Sequence, residues 1–122
     1  MTTDELKLRT KKFSLEIINL VESLPNSISC RVIANQIIRS GTSVAANYRA
    51  ACRARSDKEF ISKMNIVLEE ADETVFWLEI ILDKKWITEF MTKSLLEEGN
   101  QLVAIFVSSL KTVNSRINQS KI

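Results

Sequence analysis

Apolar residues recur along the chain with the three- and four-residue spacing of amphipathic helices. Four such segments, at about residues 4–24, 28–53, 56–84 and 89–118, cover nearly the whole sequence, and residues 118–122 are expected to fray. No segment shows the two-residue alternation of a β-strand. Four long helices with short links pack most simply as an antiparallel up-down-up-down bundle. We therefore predict an all-α four-helix bundle, with residues 1–122 as one domain.

Local signals mark where these helices begin and where the chain turns. Thr2 with Glu5, and Ser56 with Glu59, have the spacing of capping boxes at the first and third helices. A turn is predicted at residues 25–27, which read Pro-Asn-Ser. The apolar stripes predict a core formed by Leu6, Phe13, Ile17, Leu20, Val21, Leu24, Ile33, Ile37, Val44, Tyr48, Ala51, Cys52, Phe60, Met64, Val67, Leu68, Ala71, Val75, Leu78, Leu82, Leu95, Gly99, Leu102, Val103, Phe106, Leu110, Val113 and Ile117.

Gly41 falls in the middle of the second predicted helix. A glycine at such a position costs about 1 kcal/mol relative to alanine. Its presence there indicates either a kink or a close crossing with another helix, and both alternatives remain open at this point.

The third predicted helix carries apolar residues on a second face, roughly opposite its core stripe. Large aromatic residues are enriched at protein interfaces, so this face is a candidate subunit contact. The alternatives are scattered surface exposure or a core stripe in a different register. The candidate interface residues are Ile66, Glu69, Glu73, Phe76, Trp77 and Ile80. Among them, positions 66, 69, 73, 76 and 80 are spaced alternately by three and four, as in a helix–helix seam.

Charge is nearly balanced overall, with 17 basic and 15 acidic residues, but it is unevenly distributed. Residues 25–55 contain five arginines and no acidic residue, whereas residues 56–86 contain eight acidic residues and four lysines. On a straight helix, four of the arginines lie on the side away from the apolar stripe. These candidate nucleic-acid-binding residues are Arg31, Arg39, Arg49 and Arg53.

Three interpretations of this arginine stripe are possible. It can be a solvated face, or it can form ion pairs with Glu69, Glu73 or Glu79 within or between subunits. It can also be a strip that binds the phosphates of RNA or DNA, which would be sensitive to salt and indifferent to sequence.

Composition argues against an enzyme. The chain has no histidine, so it lacks a serine–histidine or cysteine–histidine pair and a histidine metal ligand. Its two glycines cannot form a glycine-rich phosphate loop. We expect no cofactor and no metal. Cys30 and Cys52 are expected to be reduced thiols, and the chain shows neither a signal peptide nor a membrane span, so we expect a cytoplasmic protein that does not contact a membrane.

One stretch of the second helix resembles a known family. Residues 35–47, which read NQIIRSGTSVAAN, are similar to the signature of bacterial four-helix bundle proteins encoded in 23S ribosomal-RNA intervening sequences. The resemblance continues through Arg53, Arg55 and residues 56–60, and then through Glu69, Glu73 and Thr74. The family usually has an acidic-glycine turn after Ala-Ala-Asn, whereas residues 48–52 here read Tyr-Arg-Ala-Ala-Cys.

The resemblance implies an assembly and a set of partners. Members of the family are similar to pentamers, and related accessory variability proteins of diversity-generating retroelements contact a reverse transcriptase and nucleic acid. The prediction is therefore a non-enzymatic homo-oligomer, a homopentamer by resemblance, that acts as a scaffold or interaction protein. The alternative is an RNA- or DNA-binding module, with a nucleic-acid-processing protein as a further candidate partner.

Overall fold

The computed structural model describes residues 1–120 and places them in four α-helices without a β-strand. The helices are α1 (Thr3–Glu22), α2 (Ile28–Ala51), α3 (Asp57–Lys84) and α4 (Glu89–Ser120). The predicted all-α four-helix bundle is confirmed. Fraying was predicted from Asn118 onwards, whereas α4 continues to Ser120; Lys121 and Ile122 lie outside the described residues.

Side-chain hydroxyl groups cap three of the helices at their N-termini. Thr2 accepts a hydrogen bond from the amide of Glu5, and Ser56 accepts one from the amide of Glu59, each at 3.1 Å. Both caps follow from the predicted capping-box spacing. Ser27, which was predicted only as part of a turn, caps α2 by accepting from the amide of Cys30 at 3.2 Å.

Each helix packs against the next in sequence, and α4 returns to pack more sparsely against α1. Arg9 on α1 donates to both carboxylate oxygens of Glu98 on α4, at 2.6 and 2.8 Å, and this hydrogen-bonded pair raises the pKa of the Arg9 guanidinium. Across residues 1–120, α1 has no close backbone contact with α3, and α2 has none with α4. These two pairs therefore lie on the diagonals of the bundle, so α1 and α3 present their outer surfaces to opposite sides.

Every residue of the predicted core is buried or half-buried. On α3 the buried stripe differs slightly from the prediction. Ile81, which was not predicted, is fully buried, while the predicted Leu82 is only half-buried. The buried surface also contains polar side chains that the apolar pattern did not identify. These are Thr10, Ser14, Ser40, Thr74 and Thr92.

Gly41 marks a close crossing of α1 and α2, and α2 is continuous through it. A Cβ atom at this position would lie 2.8 Å from Cγ2 of Ile17 on α1. The hydroxyl of Ser14 also donates to the carbonyl oxygen of Gly41 at 2.7 Å. The structure thus supports the close crossing, because only a residue without a side chain lets the helices approach this closely.

Candidate functional site

The central part of the signature segment on α2 joins that helix to both of its neighbours. Arg39 forms ion pairs with Glu70 and Glu73 on α3, with its Nη1 3.1 Å from Glu70 Oε2. The next residue, Ser40, lies with its hydroxyl 2.9 Å from that of Thr74, and both side chains are fully buried. Together with the crossing at Gly41, these contacts fix how α2 sits against α1 and α3.

The ion pairs agree with one of the three interpretations of the arginine stripe, but they involve a different set of acids. Glu73 was a predicted partner, whereas Glu70 was not. Glu69 and Glu79 are exposed on the outer part of α3 instead. Glu70 could have been found from helical geometry, because it lies one turn before Thr74, on the side of α3 that faces α2.

The structure divides the four arginines of the stripe, all of which are exposed. Arg39 is held by the two carboxylates of α3, and Arg31 donates to Oδ1 of Asn26 at 2.8 Å. Arg49 and Arg53, at the other end of α2, line a groove between α1 and α2. The two halves of the stripe therefore have different surroundings.

This basic groove has a volume of about 370 Å³ and contains no acidic residue in its lining. Four cationic side chains surround a floor of small residues, and Leu8 adds one apolar side chain at the edge. The four cations are Lys7 and Lys11 from α1, Arg49 from α2, and Arg53, which lies just beyond the end of α2 at Ala51 although the sequence pattern placed it on that helix. The lysines were missed at the sequence level because they lie 38 to 46 residues from the arginines along the chain. Antiparallel pairing of α1 with α2 brings them together.

The small floor of the groove comes from the family-like segment itself. Ala45 and Ala46 follow the crossing at Gly41 and occupy the positions between the cationic side chains. Larger residues there would fill the groove. The signature segment thus contributes both to the helix junction and to the groove.

The structure contains the predicted second apolar face of α3, and its residues differ in how far they are exposed to solvent. Phe76 is 50% exposed and Ile66 is 43% exposed, while Ile80 is half-buried. Glu69 is exposed between them, and Glu73 is half-buried in its ion pair with Arg39. We call these five residues, with Trp77, the outer face of α3.

Trp77 is placed differently from its helical-wheel position. Its ring packs against the core and meets the ring of Phe76 edge-on, with centroids 4.9 Å apart. Its indole N–H is buried and has no acceptor in the described part of the chain. The side chain leans from the outer face towards the interior of the bundle, so Phe76 is the aromatic residue that reaches solvent.

The remaining chemistry of the described residues is sparse. In residues 1–120 no three His, Cys, Asp or Glu side chains are grouped as a metal ion would require. Cys30 is buried and burial raises the pKa of its thiol, while Cys52 is half-buried; both thiols are free. Within the same range, no helix combines the length and the apolar character needed to cross a lipid bilayer.

The fold and its surfaces define a small four-helix bundle that presents an apolar, acidic face on α3 and a basic groove between α1 and α2. The chain belongs to the 23S rRNA-intervening sequence protein family, whose model matches residues 5–108. The family resemblance expected from residues 35–47 is therefore confirmed.

A solved structure supports the same assignment. The chain is similar to a crystal structure from Bacteroides thetaiotaomicron, described as a protein with unknown function from the S23 ribosomal protein family. The two share 37% sequence identity with a TM-score of 0.79, over 86% of this chain and 97% of that one. No curated protein matches the chain.

Proposed function

We propose that this protein is a non-enzymatic, homo-oligomeric interaction protein that assembles through the outer face of α3, with the pentamer of the family resemblance as the expected assembly. The observation that carries the proposal is the exposure of Phe76 and Ile66 on a helix whose other face is already buried in the core. Exposed aromatic residues of this kind are enriched at interfaces.

The composition of this face supports association rather than chance exposure. Positions 66, 69, 73, 76 and 80 of the outer face are spaced alternately by three and four residues, as in a helix–helix seam, and two of these positions are glutamates. Interfaces commonly combine such an apolar centre with a charged rim. The protein is proposed to act in the cytoplasm, since its two thiols are unpaired and reducing compartments maintain thiols in that state.

The experiment that tests the assembly is native mass spectrometry of the wild type and of Phe76→Glu. Because Phe76 is half-exposed, we expect the variant to keep its helical circular dichroism spectrum and to lose its oligomeric mass. Phe90→Glu is the matched control, since Phe90 is 86% exposed at the start of α4, away from the proposed face. A single-chain mass for the wild type would contradict the proposal. An unchanged mass for Phe76→Glu would show that the interface lies elsewhere.

A second candidate function is binding of RNA or DNA in the basic groove, either directly or alongside a nucleic-acid-processing protein. Four cations around an acid-free groove favour it, and an oligomer would multiply the modest charge of a single chain. Phosphate contacts of this kind weaken with salt in proportion to the number of phosphates neutralised.

The double variant Arg49→Glu/Arg53→Glu tests this candidate. Binding to a single-stranded RNA, measured by fluorescence anisotropy at several salt concentrations, should weaken, and the slope of log affinity against log salt should flatten. The control is Lys58→Glu/Lys111→Glu, which makes the same change in net charge at exposed positions outside the groove. Equal losses in both variants would assign the effect to net charge alone.

A further inference from the structure

The outer face of α3 is strongly acidic, which limits what can cover it. Besides Glu69, the exposed side of α3 carries Asp72, Glu79 and Asp83. If two copies met α3 against α3, these carboxylates would face one another, and like charges brought together at an interface are unfavourable. The partner surface must therefore be apolar and basic.

Between residues 8 and 15 the outer side of α1 has this composition, whereas the exposed carboxylates of α1 (Asp4, Glu5 and Glu22) lie towards its two ends. Leu8 is 70% exposed and Leu15 is 52% exposed, and they lie seven residues apart on one side of the helix. Between them, Lys11 and Lys12 are both exposed. We call these four residues the α1 seam. The α1 seam combines two exposed leucines with two lysines, whereas the outer face of α3 combines apolar residues with glutamates, so the two surfaces are complementary in charge.

The diagonal placement of α1 and α3 determines how copies of the chain can use these two complementary surfaces. Their outer surfaces point to opposite sides of the same bundle. A single second copy related by a two-fold axis therefore cannot cover both surfaces of one subunit. A head-to-tail arrangement satisfies both, because each subunit presents α3 to one neighbour and α1 to the other. Such heterologous contacts produce closed rings when the rotation between neighbours closes.

We propose that the outer face of α3 in one subunit docks on the α1 seam of the next copy of this chain. The inference rests on the proposed assembly through α3 and adds the surface to which α3 binds. The apolar contact is made by Phe76 and Ile66 against Leu8 and Leu15, while Glu69 faces the lysines of the α1 seam.

Mixing two interface variants tests the head-to-tail arrangement directly. Leu15→Glu disrupts the α1 seam and leaves α3 intact, while Phe76→Glu does the reverse. We expect each variant alone to show a single-chain mass in native mass spectrometry. An equimolar mixture should form a dimer containing one chain of each variant and nothing larger, because only one pair of intact faces remains.

Controls separate this inference from the failure of the protein to fold or to assemble. Val32→Glu, at a similarly exposed apolar position on α2, should keep the wild-type mass, and circular dichroism should show native helix content for all variants. If Leu15→Glu keeps the wild-type mass while Phe76→Glu loses it, assembly through α3 stands and docking on α1 is overturned. If that same Leu15→Glu oligomer binds RNA less tightly than the wild type does, the outer side of α1 serves nucleic acid rather than a second copy. A monomeric wild type overturns both the assembly and the docking.

Discussion

At Gly41 the separation of two helices is set by the absence of a side chain. Alanine in a helix is favoured over glycine by about 1 kcal/mol, but a Cβ atom here would meet Cγ2 of Ile17 at 2.8 Å. Ile17 is fully buried and β-branched, so it has little freedom to move aside. Overpacking of this kind costs about 1–3 kcal/mol, which exceeds the gain in helix propensity.

Gly41→Ala should therefore lower the free energy of unfolding by about 1 kcal/mol, measured by urea denaturation. In an Ile17→Ala background, which removes the atoms that clash, the same substitution should cost less than in the wild type. A stabilised Gly41→Ala protein would mean that the crossing relaxes easily and that the glycine is not required by packing.

The two thiols should differ in reactivity under native conditions. Burial of Cys30 raises the pKa of its thiol and blocks access, so its reactive thiolate form is suppressed at neutral and mildly alkaline pH. A thiol-specific chromogenic reagent should modify Cys52 in the folded protein and both cysteines in denaturant. Cys52→Ser should then remove the reaction of the folded protein, and rapid labelling of that variant would indicate that α2 opens near Cys30.

At the scale of the helices, the connection between α2 and α3 combines an exposed ion-pair cluster with a buried hydroxyl pair. Arg39→Met should reduce the free energy of unfolding by about 1 kcal/mol, because exposed ion pairs contribute little individually and two are lost here. The loss should shrink in 1 M salt, which screens these charges. Arg31→Met, which removes one hydrogen bond to Asn26, is the matched control and should cost less.

Arg39→Met also distinguishes an arginine with a structural role from one that binds RNA. Because Arg39 is engaged by Glu70 and Glu73, Arg39→Met should leave any affinity for RNA unchanged, in contrast to Arg49→Glu/Arg53→Glu. A loss of RNA affinity in Arg39→Met would show that the four arginines act together, as the sequence pattern alone suggested.

Helical periodicity predicted which residues of α3 are buried and which are exposed in most cases, and the exception has a physical cause. A wheel at 100° per residue separated the core stripe from the outer face and identified Ile66 and Phe76 as exposed. It placed Trp77 on the outer face as well, yet the ring turns towards the core. A wheel gives the direction of a Cα–Cβ bond, whereas a long aromatic side chain takes the rotamer that buries its surface.

At the scale of the whole molecule, the segregation of charge along the chain becomes a segregation in space. Segment 25–55, which contains no acidic residue, and acidic segment 56–86 lie on adjacent helices, where Arg39 bridges them. Of the remaining charges, Arg49 and Arg53 line the basic groove, while Glu69, Asp72, Glu79 and Asp83 lie on the exposed side of α3. This polarity is what a head-to-tail assembly needs.

An assembly that stabilises the folded chain makes its thermal stability depend on concentration. The melting temperature of the wild type should rise across a hundredfold increase in protein concentration, because association favours the folded state by mass action. The melting temperature of Phe76→Glu should not change over the same range. A wild-type melting temperature that is independent of concentration would argue against the proposed oligomer.

The sequence by itself determined the four helices, two of their N-terminal caps, the core and the family, because these depend on local spacing and on short contiguous segments. It also identified the exposed face of α3 and the excess of arginine on α2. The tertiary structure decided that Gly41 serves a helix crossing, that Arg39 is held by Glu70 and Glu73, and that Lys7 and Lys11 join Arg49 and Arg53 in one groove. Those facts depend on which helices are neighbours and in which register, and such contacts between distant residues are not encoded in the periodicity of any one helix.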